Sequence, residues 1–375
     1  MKIKGQHYHT IWINSTDPSV VKVIDQRFLP FSFQILELRT VDDVYMAISN
    51  MAVRGAPLIG VTAAFGIYLA LQNSRENGAN QSITGIANKL KSARPTAVNL
   101  AMAVDRMLQS IKKSDLPDEQ IRIALQTAIG LKNEELENSR KIGVYGLPLI
   151  ENIANHKKDH KVNILTHCNA GWLACIDYGT ATAPIYMAHN KGINLHVWVD
   201  ETRPRNQGAR LTAWEFGEHK VPHTLIADNT GGQLMQEGSV DMVIVGCDRM
   251  TPDGDFANKI GTYLKALAAK DNNIPFYVAL PSTSIDRTLK NTTQIPIEKR
   301  DPEEVLTVKG WYDNHPADVR IAPENTPALN YGFDITPACL VSGLITERGT
   351  CRAQKSDILK LFSSDGIMYY PKEHI

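Results

Sequence analysis

Residues Lys161–Thr180, KVNILTHCNAGWLACIDYGT, contain the stretch that decides the fold. The mostly apolar residues 162–165 predict a short buried strand, the small polar residues 166–171 predict a tight turn, and Trp172 onward predicts a helix. This order places Cys168 at the carboxyl end of a strand and beside a helix N-terminus. Open α/β sheets bind ligands at that edge, and helix N-termini attract anions.

Cys168 has two interpretations in this position. A thiol beside a helix N-terminus could have a lowered pKa and act as a proton carrier or nucleophile. Alternatively, it packs as a small apolar side chain, as free cysteines commonly do. His167 is adjacent, but neighbouring strand residues point to opposite faces, so a direct Cys–His pair is not expected.

The composition is that of an ordinary globular protein. The chain has 375 residues, of which 43% are hydrophobic and 21% charged, with a formal net charge of zero. We expect a large core, two domains, and neither nucleic-acid nor membrane-surface binding, which would need a basic excess. Five cysteines without a CxxC pair favour neither a disulfide framework nor a structural zinc site and suit a reducing cytoplasm.

The N-terminus, MKIKGQHYHTIWI, lacks the apolar segment of a signal peptide, and no run approaches about 20 apolar residues. Residues 1–40 alternate loosely and predict small antiparallel strands. Thr40 is then a predicted helix N-cap. Residues 118–142 predict an amphipathic, solvated helix. Near residue 145 the sequence changes to short apolar runs that alternate with predicted helices, and we place the domain boundary there.

Two arginines sit at predicted helix starts in this first region. Arg54-Gly55-Ala56-Pro57 interrupts one helix and precedes a buried helix over 58–71, and Arg94-Pro95 precedes another helix. The charge of Arg54 in so small and apolar a junction needs a partner. That partner could be a helix-end carbonyl, an internal carboxylate or a bound anion, the last being the functional interpretation.

From residue 161 the pattern alternates strand and helix. Predicted strands are Val162–Thr166, Leu195–Val199, His223–Ile226, Met242–Gly246 and Phe276–Ala279, with helices near 172–189, 208–219, 230–237 and 256–272. Short, continuously apolar strands predict an α/β fold with a parallel sheet covered on both faces. No G-x-G-x-x-G follows the first strand, so no dinucleotide cofactor is predicted.

Polar residues gather where these strands end. Because the carboxyl ends of parallel strands share one crevice, Cys168, Gln207, Asp248 and Lys259 are expected to converge there. Asp248 follows an apolar strand, so partial desolvation would raise its pKa and suit it to general-acid work. Alternatively, Asp248 caps the next segment or pairs with Arg249.

Asn258-Lys259 and Asp200-Glu201 also have alternative interpretations. The first pair is expected early in a helix, where it could meet a phosphate, or Lys259 could be an exposed surface lysine. The second pair could bind a metal, but a salt bridge to the arginines that follow is simpler. No metal site is predicted.

Long motifs resemble those of the methylthioribose-1-phosphate isomerase family. They are Arg54–Pro57 (RGAP), Arg94–Leu100 (RPTAVNL), Thr166–Gly171 (THCNAG), Asp200–Pro204 (DETRP), Gln207–Arg210 (QGAR), Gly254-Asp255 and Asn258–Tyr263 (NKIGTY). They occur in the family's order and, with Thr346–Gly349 (TERG), extend over nearly the whole chain.

The resemblance implies a small N-terminal α+β domain over residues 1–145 and a Rossmann-like parallel-sheet domain over 146–375, paired into a homodimer. It implies an aldose–ketose isomerase of methionine salvage that acts on 5-methylthioribose 1-phosphate without a cofactor. Asp248 matches the family's proton donor and Cys168 its other catalytic group. The positions that match substrate-binding residues are Arg54, Gly55, Ala56, Arg94, Gln207, Asn258 and Lys259.

Some positions differ from the family pattern. Cys247 replaces an alanine, Asp228–Gly232 (DNTGG) replaces DSMAA, Asn206 replaces an apolar residue, and Trp172 and Cys175 replace smaller ones. We expect these changes to cluster near the substituent at C5 of the sugar. Two other functions are therefore considered: an isomerase of 5-deoxyribose 1-phosphate, and a non-catalytic subunit like those of the translation-initiation guanine-nucleotide exchange factor, which share the fold.

Overall fold

The computed structural model describes residues 1–77, 82–94, 98–158 and 160–362. The first part combines short antiparallel strands with long helices. Its strands are β1 (Lys2–Ile3), β2 (Gln6–His7), β3 (Ile11–Ile13), β4 (Val21–Ile24) and β5 (Ile35–Leu38), and its helices are α1 (Val41–Ser49), α2 (Ala56–Asn77), α3 (Ile83–Ser92), α4 (Val98–Ile111) and α5 (Pro117–His156). β3, β4 and β5 form the predicted antiparallel sheet. Pro95, Thr96 and Ala97 of the predicted helix start lie outside the described residues.

The second part alternates strands and helices as predicted. Its strands are β6 (Val162–Thr166), β7 (Leu195–Asp200), β8 (His223–Ile226), β9 (Met242–Val245), β10 (Arg249–Met250), β11 (Phe256–Lys259), β12 (Phe276–Ala279), β13 (Thr307–Tyr312), β14 (His315–Arg320), β15 (Phe333–Thr336), β16 (Gly343–Thr346) and β17 (Gly349–Cys351). Its helices are α6 (Thr182–Asn190), α7 (Ala213–His219), α8 (Thr230–Gln236), α9 (Thr262–Asp271), α10 (Glu303–Leu306) and α11 (Lys355–Phe362).

A seven-stranded sheet organises this second part. Its order is β17-β16-β12-β9-β6-β7-β8, and all pairs are parallel except β16 with β17. The chain builds outward from β6 in both directions, first through β7 and β8 and then through β9, β12 and β16. The topological switch point therefore lies between β6 and β9, where doubly wound sheets bind their ligands.

Both faces of the sheet are covered, which confirms the predicted α/β class. Ile164 and Ile244 belong to one buried cluster, whereas Leu165, Val243 and Val245 belong to another. Successive strand residues thus enter opposite cores, as expected when helices pack on both sides of parallel strands.

Two long helices differ from the sequence predictions. α2 is long and apolar enough to cross a membrane by length and composition, so the prediction that no run approaches that length is wrong. Most of its stretch Ala56–Arg75 is buried inside the fold, as in a core helix. α5 continues well past residue 142. Gly146 lies within it, and a Cβ there would lie 2.6 Å from the side chain of Pro184 on α6. The domain boundary placed near 145 stays a prediction, and it falls inside this helix.

Two predicted helices begin later than expected. Cys168 is followed by an irregular loop with one 3-10 turn, Trp172–Ala174, and α6 begins only at Thr182. The expectation that Cys168 lies beside a helix N-terminus is therefore wrong. Residues 256–259 form β11, which pairs with β10 and β15, so Asn258 and Lys259 lie in a strand instead of early in a helix.

Candidate active site

A cleft opens at the switch point of the sheet. Its central part, about 440 Å³, is lined by the loops after β6 and β9 and by the start of α2, with Arg54, Gly55, Ala56, Cys168, Asp248 and Asn258 among the wall residues. Arg94 lines a neighbouring cavity that shares Gly55, Ala56 and Asp248 with this one, and Gln207 lines another that shares Arg54. The structure thus places eight of the nine residues predicted for the site on the walls of these three neighbouring cavities, and the ninth, Lys259, follows Asn258 in the chain.

Asp248 lies three residues beyond β9, where its half-buried carboxyl lines the cleft. Burial raises the pKa of Asp248, and the positive charges of Lys259, Arg54 and Arg94 oppose that rise. A raised pKa favours the protonated form of a carboxyl, and a carboxyl at a cleft is placed to donate a proton to a bound molecule.

The alternative in which Asp248 pairs with its neighbour is wrong. Arg249 lies against Asp286, with 3.8 Å between Nε and Oδ2. The backbone N–H of Asp248, the residue before β10, donates to the carbonyl oxygen of Ala257 in β11 at 3.0 Å. The carboxyl of Asp248 is therefore held at the cleft by its backbone.

Cys168 has a backbone φ of +67°, which side-chain-bearing residues seldom adopt. Two threonines hold it there, because the Cys168 N–H donates to Oγ1 of Thr202 at 2.8 Å and its carbonyl accepts from Oγ1 of Thr212 at 2.7 Å. Such locally unfavourable geometry is commonly retained at functional sites.

The expected lowering of the Cys168 pKa is wrong. Burial raises the pKa of this thiol, while the charges of Arg54 and Lys259 oppose the rise. The helix N-terminus that would have stabilised a thiolate is absent at this loop, as described above. His167 does not pair with the thiol, since its ring nitrogens contact Asp200 and the carbonyl oxygen of Ile260, each at 2.8 Å. Cys168 therefore faces the cleft as a protonated thiol.

Arg54 is held by Asn169, the residue after Cys168. Its Nη1 donates to Oδ1 of Asn169 and its Nη2 donates to the Asn169 carbonyl oxygen at 2.8 Å. Both of these acceptors belong to a loop residue, so the helix-end carbonyl alternative is wrong. No carboxylate forms a salt bridge with Arg54 within the described ranges, so the internal-carboxylate alternative is wrong as well. Two of its five N–H groups are used, and the guanidinium keeps its charge at the cleft wall.

The first turn of α2 forms another part of this wall. Ala56 begins the helix and lines the cleft together with Gly55 and Pro57. The N–H groups at a helix start have no partner within the helix and carry a partial positive charge. An anion beside Arg54 would therefore also lie near this helix end.

Arg94 lines the outer part of the cleft with Asp248. Its Nη2 lies 3.8 Å from Oε2 of Glu298, and its buried Nε and Nη1 have no hydrogen-bond partner in the part of the chain that the structure describes. Burial lowers the pKa of Arg94, and Glu298 opposes that change. A buried guanidinium with unused donors is suited to bind an anion.

Asn258 and Lys259 are only 5% and 6% exposed, so the alternative of a surface lysine is wrong. Nζ of Lys259 donates to the Gly332 carbonyl oxygen at 2.9 Å and lies 4.8 Å from the ring centre of Phe333. Burial lowers the pKa of Lys259, and the nearby Cys168 and Asp248 oppose this effect. Its charge therefore acts on both predicted catalytic groups.

Gln207 lines the cleft beside Arg54 and is 5% exposed. Its Oε1 is buried and has no hydrogen-bond partner among the described residues. An unpaired buried amide oxygen costs free energy unless a ligand or water satisfies it. This position thus offers a polar contact to a bound molecule.

Several other predictions need correction. Asp200 pairs with Lys265, at 3.2 Å, and with His167 instead of the arginines that follow it. Of the residues that differ from the family pattern, Cys175 and Cys247 line the cleft, whereas Trp172 packs against Trp214. The expectation that all these differences cluster beside the substrate is therefore not supported by their positions.

Sequence reasoning missed Asn169, Glu215 and Glu298. Asn169 and Glu215 are joined behind the loop of Cys168, and Glu298 faces Arg94. Their partners are 46 and 204 residues away in sequence, so no local pattern reveals these contacts. Only the position of Asn169, inside the THCNAG motif, was a usable signal.

Comparison with known proteins shows the family to which the chain belongs. The profile of the initiation factor 2 subunit family matches residues 52–353. A protein named methylthioribose-1-phosphate isomerase from Desulfatibacillum aliphaticivorans is 57% identical over 364 residues, covering 96% of this chain and 99% of that protein.

Two solved structures are also similar. The 5-methylthioribose 1-phosphate isomerase from Pyrococcus horikoshii OT3 has a TM-score of 0.82 at 38% identity, covering 97% of this chain and 100% of that one. The translation initiation factor eIF-2B subunit delta from A. fulgidus has a TM-score of 0.77 at 36% identity, covering 95% and 100%. The chain therefore belongs to the methylthioribose-1-phosphate isomerase family, within the initiation factor 2 subunit family.

Proposed function

We propose that this chain is an aldose–ketose isomerase that converts 5-methylthioribose 1-phosphate to 5-methylthioribulose 1-phosphate in methionine salvage. The observation that carries the proposal is the convergence of Cys168 and Asp248 at the switch point of the sheet, in a cleft that Arg54 and Arg94 also line. Two of the similar proteins, from Desulfatibacillum aliphaticivorans and Pyrococcus horikoshii OT3, bear this activity in their names.

The substrate's chemistry explains this set of residues. A phosphate on the anomeric oxygen prevents the sugar ring from opening as a free hemiacetal, so an acid must protonate the ring oxygen as it leaves C1. Asp248 supplies that proton, because it lines the cleft and burial raises its pKa, which favours the protonated form. Arg54, Arg94 and Lys259 hold the phosphate.

Hydrogen transfer then completes the isomerisation. C1 gains the hydrogen that C2 loses, and the C2 hydroxyl releases its proton as the ketone forms. Cys168 shelters the C2 hydrogen if that hydrogen migrates as a hydride. In the enediolate route, the Cys168 thiol would first have to give up its own proton before it takes up the proton of C2. Its buried position keeps bulk water away from the migrating hydrogen.

A non-catalytic subunit is the second candidate, favoured by the similarity to the eIF-2B subunit delta structure. A scaffold has no need for an acid of raised pKa facing a thiol and three cations. Activity decides between the two. Purified protein is given 5-methylthioribose 1-phosphate and 5-deoxyribose 1-phosphate side by side, and ketose formation is followed by NMR. A higher kcat/KM for the methylthio sugar supports the proposal; equal or reversed preference indicates a broader 5-deoxypentose isomerase, and no ketose indicates the subunit.

We propose further that the protein acts as a cytoplasmic homodimer. All five cysteines are unpaired, which suits a reducing compartment. Exposed apolar side chains such as Leu264, Trp311 and Tyr312 offer contact area for a second copy. Light scattering that returns twice the mass of 41.6 kDa would support the dimer, and the monomer mass would refute it.

A further inference from the structure

Glu215 lies at the centre of a hydrogen-bond network behind the cleft. Its side chain on α7 is 0% exposed. The carboxylate accepts four hydrogen bonds: from Nδ2 of Asn169 at 3.0 Å, the N–H of Leu173 at 2.9 Å, the N–H of Trp172 at 3.2 Å and the hydroxyl of Tyr186 at 3.1 Å. Two donors on each oxygen match the acceptor capacity of an ionised carboxylate.

The fold makes room for this carboxylate at Gly171. A Cβ on Gly171 would lie 1.9 Å from Oε2 of Glu215, so any larger residue would displace the side chain. Burial raises the pKa of Glu215 to about 7, and the hydrogen bonds from Asn169, Leu173 and Tyr186 oppose that rise. A carboxyl buried at such a cost, with no part in the proposed chemistry, calls for another role.

The network fixes the orientation of the Asn169 amide. Nδ2 of Asn169 donates to Glu215 and also to Oγ1 of Thr212 at 3.1 Å. The Thr212 hydroxyl gives its own proton to the Cys168 carbonyl, so it can only accept from Asn169. With acceptors on the Nδ2 side, Oδ1 must face Arg54, where it accepts from Nη1.

We propose that Glu215 is a positioning residue for the phosphate of the substrate, because through Asn169 it holds the Arg54 guanidinium at the cleft wall. This inference rests on the proposed function, in which Arg54 binds the sugar phosphate. Arg54 reaches Asn169 by two N–H groups and keeps three for the ligand. If Asn169 turned over, its Nδ2 would face Nη1, and two donors would repel each other.

The test replaces Glu215 by glutamine in a Tyr186→Phe background. In the wild-type background the Tyr186 hydroxyl could accept from the new amide and leave Asn169 unchanged. With phenylalanine at position 186 that hydroxyl is gone. The side-chain amide introduced at position 215 then gains an acceptor when the Asn169 amide flips by 180° and presents its Oδ1. Tyr186→Phe alone is the matched control, because it removes a donor from Glu215 without touching Asn169.

Calorimetry with inorganic phosphate measures the consequence without turnover. We expect Tyr186→Phe to bind phosphate within twofold of wild type, and Glu215→Gln in that background to bind at least tenfold more weakly. The KM for 5-methylthioribose 1-phosphate should rise in parallel, and kcat should fall less than KM rises. Equal phosphate affinity in the two variants, or a loss confined to kcat, would overturn the inference.

A second variant covers a failure to fold. If the double variant lacks the wild-type circular dichroism spectrum, Glu215→Asp replaces it, since the shorter carboxylate keeps the charge but retreats from Asn169. We expect phosphate binding to weaken at least threefold in Glu215→Asp, and wild-type affinity would overturn the inference. A wild type that binds phosphate yet makes no ketose would refute the proposed reaction alone.

Discussion

Gly55 touches the loop that follows Cys168: a Cβ on Gly55 would lie 2.4 Å from the carbonyl oxygen of Ala174. Gly55 also has a φ of +94°, a conformation open to glycine and rarely to other residues. The contact brings the start of α2 against the loop after Cys168, and both line the cleft. The proposed phosphate-binding residues and the proposed catalytic residues thus meet at a position that only glycine fits.

Gly55→Ala should therefore destabilise the protein and impair substrate binding. Forcing a Cβ into this backbone conformation and this contact costs about 1–3 kcal/mol of unfolding free energy. Urea denaturation and KM measure the two effects. Gly130→Ala is the control, because Gly130 lies in α5 with open space around its Cα, where alanine should stabilise by roughly 0.5–1 kcal/mol. Equal stability of Gly55→Ala and wild type would contradict the contact.

Cys168 should react slowly with iodoacetamide at neutral pH. The thiolate is the reactive form, and burial raises the pKa of this thiol. Cys339 is exposed and serves as an internal control in the same protein. Mass spectrometry of peptides taken over time should show Cys168 modified at least tenfold more slowly than Cys339. Faster modification of Cys168 would mean that the thiol is activated after all.

Arg94→Gln should weaken substrate binding and shift the pH profile. Loss of the buried guanidinium should raise KM at least tenfold, since a charged hydrogen bond to phosphate disappears. Arg94 also opposes the burial-driven rise of the Asp248 pKa, so its removal should raise that pKa further. The acid then stays protonated to higher pH.

The measurement is kcat/KM as a function of pH. The decrease of kcat/KM on the basic side of this profile should move to higher pH in Arg94→Gln. Arg106→Gln is the control, because Arg106 is exposed and pairs with Glu134 away from the cleft. A basic limb that stays in place, or moves to lower pH, would show that Arg94 does not act on the proton donor.

Glu135 should make the protein less stable as pH rises. Burial raises the pKa of Glu135 from 4.5 to about 7, with Glu347 adding to the rise. Between those two values the folded state binds more protons than the unfolded state, so the unfolding free energy falls as pH increases. The loss is on the order of 3 kcal/mol at most and is complete above pH of about 7.

Glu135→Gln removes this titration and should flatten the fall in unfolding free energy between pH 5 and pH 8. Urea denaturation at both values measures it. The neighbouring Glu134→Gln changes an exposed carboxylate and should leave the pH dependence as in wild type. The same slope in Glu135→Gln and wild type would mean that Glu135 is ionised in the folded state at pH 5.

The parallel sheet could be predicted because its strands are local signals. Runs such as Val162–Thr166 and Met242–Val245 are short and apolar, and their polar successors mark the carboxyl edge. Convergence of Cys168 and Asp248 followed from that rule alone, since both come after strands that flank the switch point. These inferences needed no long-range information.

The loop after Cys168 could not be predicted from the local pattern. Residues 171–190 are apolar and resemble one helix, but Glu215 bonds the N–H groups of Trp172 and Leu173 and holds an irregular turn instead. Likewise, Asn258 and Lys259 become strand residues because β11 pairs with β15, more than seventy residues later. Both outcomes depend on partners that are distant in sequence.

The most direct test of the account is the rate at which Asp248→Asn converts 5-methylthioribose 1-phosphate, compared with wild type. Proton NMR follows the ketose, and calorimetry with inorganic phosphate confirms that the cleft is intact. Loss of a positioned acid should lower kcat by about 100-fold or more with phosphate affinity unchanged. A kcat near that of wild type would contradict the assignment of Asp248 and, with it, the proposed chemistry of the cleft.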